Sequence, residues 1–207
     1  MRENKSLFFL ILAMSLAGSG CASIWGWDIH APGILSPQFS REIKPIDARA
    51  ALFIPESVYN YRSTDRGGRF ADPQTFHIGE AYVPMMVEGF QAAFSEFILI
   101  DTEPTPEIMK QYGIEWLAAV GIKSFTNRVT LKGQTVGLKT EAVLYDRDLR
   151  AVHHFESQGS SDQRDVFAKK GGPQVNLNAA LERNVIAVVQ HLQDQIQSRD
   201  HEQGAAS

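Results

Sequence analysis

Cysteine is nearly missing from this chain of 207 residues; Cys21 is the single one. An intrachain disulfide is therefore excluded, and so is any zinc site built on several thiolates. Positive charge is scarce too. Lys and Arg total 20 against 24 Asp and Glu, a net charge of −4. With no cationic surplus to neutralise phosphates, nucleic acid is not an expected partner. The most apolar stretch, Leu7 to Ala17, falls short of the roughly 20 residues that a spanning helix needs. Catalytic signatures are missing as well: no G-x-S-x-G, H-E-x-x-H, P-loop or G-x-G-x-x-G occurs. The expectation is a protein with no catalytic residue, no cofactor and no metal, and not an enzyme. What remains is ordinary globular usage, 43% hydrophobic and 21% charged. That places the chain among folded proteins, and its length suits one domain.

The N-terminus is informative. Arg2 and Lys5 stand against Glu3, and the apolar core follows. A basic start and a short apolar core make a secretory signal. Gly18, Ser19 and Gly20 then lead to Cys21. Ser19-Gly20-Cys21 resembles the last three positions of the lipobox of bacterial lipoproteins, while Gly18 stands where leucine is usual. The resemblance implies cleavage before Cys21 and lipidation of its thiol, so that the membrane becomes a partner through the anchor. The alternatives are an ordinary cleaved signal that leaves a free thiol, or an uncleaved anchor. Acyl chains contribute about 0.8 kcal/mol per buried methylene, so several chains hold a protein to the bilayer in effect permanently. The residue after the cysteine is Ala22, not Asp. By the family's sorting rule this implies the outer membrane, with the domain on the periplasmic face.

Residues 23–44 hold Trp25, Gly26, Trp27, Pro32, Gly33 and Pro37 with neither helical nor strand period. They read as a tether. Trp25 and Trp27 would either sit at the membrane interface or pack on the domain. The division is a signal over 1–20, a lipidated cysteine and flexible tether over 21–48, an α+β periplasmic domain over 49–197, and a disordered tail over 198–207.

Within the domain, residues 49–54 read as a strand stopped by Pro55. Ile78, Tyr82, Met85, Met86, Gly89, Ala93, Phe94 and Phe97 recur at helical spacing. Pro84 implies that the regular helix starts near Val83, because proline is tolerated only in a first turn. Residues 97–101 read as a buried strand, and Pro106 opens a short helix. Three strands follow. Trp116, Ala118, Val120 and Ile122 share one face of the first, and Val136, Leu138, Thr140, Ala142 and Leu144 one face of the second. Residues 150–157 form the third, and 158–175 read as a loop. The final helix carries Leu177, Leu181, Val185, Val188, Leu192 and Ile196 on its buried face, with Glu182, Arg183, Gln190, Gln193 and Asp194 toward water. This order predicts an α+β fold, a single two-layer domain whose mostly antiparallel sheet has helices packed on one face.

No cluster points firmly to chemistry. His153 and His154 are neighbours on a strand, so their side chains point to opposite faces and cannot share one metal locally. His30 and His77 read as loop residues and His191 as helical. Asp101, Glu103 and Glu107 read as solvated loop carboxylates. Arg62, Arg66 and Arg69 suit an anion, but Asp65 and Asp72 dilute their charge. Met85, Met86, Phe90, Phe94 and Phe97 read as core, with an apolar ligand groove as the alternative.

The arrangement resembles the YajG-type lipoproteins. Three stretches carry the resemblance: Ile78-Gly79-Glu80-Ala81 leading to Phe90 and Phe94, the strand pair around Ala118-Ala119-Val120 and Val136 to Tyr145, and the helix from Ala179 to Ile196. The resemblance implies an envelope lipoprotein without family functional residues. The first functional reading is an envelope interaction or assembly protein with a protein partner. The alternative is an auxiliary lipoprotein of an envelope ABC transport system that binds a hydrophobic ligand. A hydrolase using Ser157 or Ser160 near His154 is the third.

Overall fold

The computed structural model describes residues 26–66, 72–163 and 172–205. The signal, Cys21 and Trp25 lie outside these residues, as does Arg69.

Strand period and turn chemistry build the centre. Every second residue of β6 (Trp116–Thr130) and β7 (Gly133–Asp146) joins one buried face: Trp116, Ala118 and Val120 on the first, and Val136, Leu138, Ala142 and Leu144 on the second. The two pair antiparallel from Trp116↔Asp146 to Thr130↔Gly133. The next turn is set by Asp146, whose Oδ1 accepts the amides of Asp148 and Arg150 at 2.9 Å each. Leu149 takes φ 57° there. The local bonds to the aspartate hold the turn in that left-handed conformation. β8 (Ala151–Gln163) then completes the antiparallel part.

Two more strands extend the sheet to the order β5-β2-β6-β7-β8. β2 (Ile46–Phe53) runs parallel to both β5 (Phe94–Ile100) and β6. Its sequence explains the central place. Ala50 and Leu52 are buried toward one face and Ala51 toward the other, the signature of a strand covered on both sides. A smaller sheet, β1 (Trp27–Ile29), β4 (Gln74–His77) and β3 (Arg62–Asp65), packs beside it.

The two long helices, α3 (Ile78–Ala93) and α5 (Pro173–Ala205), share one face of the large sheet, as the α+β reading requires. Two short helices, α1 (Pro37–Glu42) and α2 (Glu56–Tyr59), lie at that body's margins. The short α4 (Pro106–Gln111) covers the opposite face at the parallel end, where Met109 and Ile114 meet Ala51, Ile100 and Leu117. Further along that face stand ion pairs. Glu156 sits between Lys139, at 2.7 Å, and Lys123. The pair, Lys123 first, hold its carboxyl down at about 2.

Four sequence expectations are corrected. The tether does not run to residue 48. Ile29, Phe39 and Ile43 are buried at 0%, 2% and 3% exposure, and β1 pairs parallel with β4. Apolar anchors without a period gave no sign of this. α3 starts at Ile78, not near Val83. Burial of Ile78, Ala81 and Tyr82 offsets the roughly 3 kcal/mol that an interior proline costs. The loop at 158 is strand, because β8 continues through Gln163. Helix α5 continues past residue 197 to Ala205, with Arg199 Nη2 donating to the Val152 carbonyl at 2.7 Å.

Gly159 explains the unexpected length of β8. A Cβ there would stand 2.2 Å from the Ala180 carbonyl oxygen and 2.3 Å from the Asn184 nitrogen. Helix and strand backbones therefore approach directly. Gly159→Ala is expected to destabilise the fold by about 1–3 kcal/mol through overpacking. Urea unfolding with an unchanged slope and a lowered midpoint would register it; an unmoved midpoint would refute the close approach.

Candidate functional site

The apolar face of α3 is closed. Met85, Met86 and Phe90 are fully buried, Phe94 is 3% exposed, and Phe97 packs partly buried against them. The space between Phe90, Phe94, Trp116, Leu144 and Ile196 leaves no room for a water molecule. These residues are core, not a ligand groove. An open depression of about 510 Å³ lies elsewhere, between α4 and the β7–β8 turn, lined by Met109, Lys110, Ile114 and Arg147 among others.

The histidines are better organised than their sequence positions suggest. Parallel pairing of β1 with β4 brings the chain just after Ile29 beside His77. The His30 and His77 rings stack with centroids 3.9 Å apart. Glu80, in the first turn of α3, places one oxygen on each ring. Its Oε2 lies 2.9 Å from His30 Nδ1, and its Oε1 lies 3.0 Å from His77 Nδ1. Asp28 Oδ1 takes the other nitrogen of His77, Nε2, at 3.0 Å. Arg62 Nη2 adds a contact to Glu80 Oε1 at 3.3 Å. The hydrogen bonds from His30 and His77 hold the Glu80 carboxyl below the ordinary carboxylate range. Sequence position alone gives His30 and His77 no partners, and no metal ligand is expected from it. Yet two imidazoles and a carboxylate converge here with ligand atoms within 4.8 Å of one another. A usable signal was present: His77 and Glu80 are three residues apart at a helix start, where side chains share a face.

A second imidazole pair joins β8 to α5. His153 and His191 meet Nε2 to Nε2 at 2.9 Å, so one donates and the other accepts. Phe155 stacks on His191 at 4.0 Å between centroids. His154 is exposed on the other side of β8, as strand geometry predicts. Ser157 is buried on the face opposite His154, and Ser160 stands six positions further along the strand. The structure brings neither serine to that histidine. Arg62 is drawn to Glu80 rather than to Arg66. Asp101 and Glu103 are exposed, while Glu107 lies in the first turn of α4. Its own amide and Thr105 lower its carboxyl. Cys21, the expected lipidation site, lies outside the described residues.

No family model matches the chain, and no curated protein sequence does. Solved structures with a similar chain path include the hypothetical protein CT253 from Chlamydia trachomatis. It is 8% identical over 71% of this chain and 96% of that one, with a TM-score of 0.45. The PelC dodecamer from Paraburkholderia phytofirmans is 8% identical over 76% of this chain and 93% of that one, with a TM-score of 0.38. Lipoprotein GNA1162 from Neisseria meningitidis is 6% identical over 72% and 99%, with a TM-score of 0.34. Likeness at this level assigns neither family nor role.

The β8–α5 pair makes stability depend on pH. Burial first, then the charges of His191, Arg199 and His154, lower the His153 pKa. As pH falls, the unfolded chain therefore takes up this proton before the folded one. The stability it contributes is present above the unfolded imidazole value of about 6.5 and is lost as pH falls from there through the lowered value. The urea midpoint is expected to drop between pH 7.5 and 5.5, and to drop less in His153→Phe. Equal drops in both proteins would contradict this.

Proposed function

We propose that the protein is a lipoprotein of the outer membrane, anchored through Cys21, whose periplasmic domain binds an envelope protein partner and performs no chemistry. The observation that carries the reading is the N-terminal series: a basic start, the apolar core at 7–17, and Ser19-Gly20-Cys21 followed by Ala22. The folded body supports it from the other side. Only residues 22–26 separate Cys21 from Trp27, a reach of at most roughly 20 Å. The domain is therefore held against the bilayer, not suspended below it on a long tether.

Trp27 fits that position. It lies on β1 with 60% of its surface exposed, and an indole ring is favoured at the membrane interface. The hydrophobic-ligand alternative loses its groove, because the methionine and phenylalanine face of α3 is filled. The envelope interaction reading needs no such cavity.

Two measurements test the reading. Cells fed labelled palmitate should label the wild type in the outer-membrane fraction, and Cys21→Ser should lose both label and location. A wild type without label would overturn the anchor. In vesicles containing brominated lipid, Trp27 fluorescence of the lipidated protein is expected to be quenched relative to vesicles without bromine. Comparison with Trp27→Phe isolates its signal, and an unquenched Trp27 would place the domain away from the bilayer.

A further inference from the structure

We infer that His30, His77 and Glu80 form a binding site for a divalent transition-metal ion, zinc fitting best, and that the ion fastens the N-terminal strand to the body of the domain. This goes beyond the anchoring role and does not depend on it.

The donor set is the first support. Two imidazole nitrogens and one carboxylate oxygen suit zinc, with a fourth position left for water. The three side chains come from two separate pieces of chain: the residue after β1, and the run from the end of β4 into the first turn of α3. Their ligand atoms lie within 4.8 Å of one another. Around four-coordinate zinc such atoms stand about 3.3 Å apart. Glu80 is now 2.9 and 3.0 Å from the two imidazoles. These contacts are made by different Glu80 oxygens; uptake of the ion would open them by a few tenths of an ångström and draw the wider ligand separations, now within 4.8 Å, toward the same value.

The support behind the ligands is the second observation. Metal-binding histidines usually give their other nitrogen to a carboxylate, which fixes the ring and its tautomer. Asp28 does this for His77 at 3.0 Å. With Nε2 kept protonated by Asp28, His77 would take the ion through Nδ1, whose proton now donated to Glu80 Oε1 is released as the ion binds. A helix-start contact accounts for His77 alone. It does not account for a second imidazole stacked on the first and aimed at the same carboxylate.

Access is the third. The His77 side chain is 9% exposed, a fixed inner ligand, whereas His30 and Glu80 are 55% and 48% exposed. An ion can enter from solvent. Arg62 competes for Glu80 Oε1, which leaves Oε2 to the metal. The consequence is mechanical. β1 is three residues long and pairs only with β4 in its sheet. An ion on His30 would tie the C-terminal end of this short strand to α3.

The test uses untagged full-length protein in detergent, stripped of metal with a chelator. Zinc chloride is titrated calorimetrically and cobalt chloride by visible absorption. One equivalent is expected to bind, with micromolar or tighter affinity, a cobalt ligand-field band and a raised thermal midpoint. His30→Ala alters an exposed side chain, so it should keep the metal-free circular dichroism. It should weaken zinc binding at least about tenfold, and so should Glu80→Gln. His191→Phe, at the other imidazole pair, should retain wild-type affinity. No saturable binding by the wild type, wild-type affinity in His30→Ala, or loss of binding in His191→Phe would each overturn the site.

Discussion

Three polar side chains of α5 decide where the N-terminal segment lies. Glu182 Oε1 accepts the Ser36 amide at 2.8 Å and the Ser36 hydroxyl at 2.6 Å. Asn178 Oδ1 accepts the Gly33 amide at 3.0 Å, and its Nδ2 donates to the Ile34 carbonyl at 2.9 Å. Gln193 Nε2 donates to the Lys44 carbonyl at 2.9 Å. Gly33 is buried and Ser36 half-buried, so leaving their amides without partners would cost about 1–3 kcal/mol each. With them satisfied, Phe39 and Ile43 can enter the core, and Ser36 in turn caps α1 through the Gln38 amide. The segment is thus part of the body, and the short reach to Cys21 follows from that.

The same helix holds the interior together. Asn184 is fully buried. Its Oδ1 accepts the Tyr82 hydroxyl at 2.7 Å, and its Nδ2 donates to Thr140 Oγ1 at 3.1 Å and the Leu138 carbonyl at 3.4 Å. One amide therefore links α3, α5 and β7, and removing it would strand several buried groups together. Gly159 lets β8 come close beneath it.

Legibility followed the physics of burial. Beyond the patch that α4 covers at Leu117, β6 and β7 bury one face, so the two-residue period marks Trp116, Ala118 and Val120, and Val136, Leu138 and Thr140, as inward residues. The α+β class followed from that alternation and from the helical spacing of α3 and α5. The far end of β8 was hidden because its inward residues, Ser157, Gly159 and Ser161, are small and polar. They are small because a helix backbone lies against them, and such a run reads as a loop. Glu182 and Gln193 read as solvent-facing by polarity alone, yet each is 8% exposed, because the peptide groups they bind are distant in sequence. The parallel pairing of β2 with β5 and β6 was equally silent, since pairing partners are not written in a single strand. His30 lies 47 positions from His77 along the chain, and only the β1–β4 register joins them.

Amide hydrogen exchange of the full chain tests directly whether the N-terminal segment is folded onto α5. The Gly33, Ser36 and Ile43 amides are bonded to Asn178, Glu182 and the Phe39 carbonyl. Their exchange is predicted to be slowed well below free-peptide rates, and to quicken at Ser36 in Glu182→Ala. Free-peptide exchange at all three in the wild type would mean that residues 33–43 are a loose tether after all, and the membrane-apposed placement of the domain would fall with it.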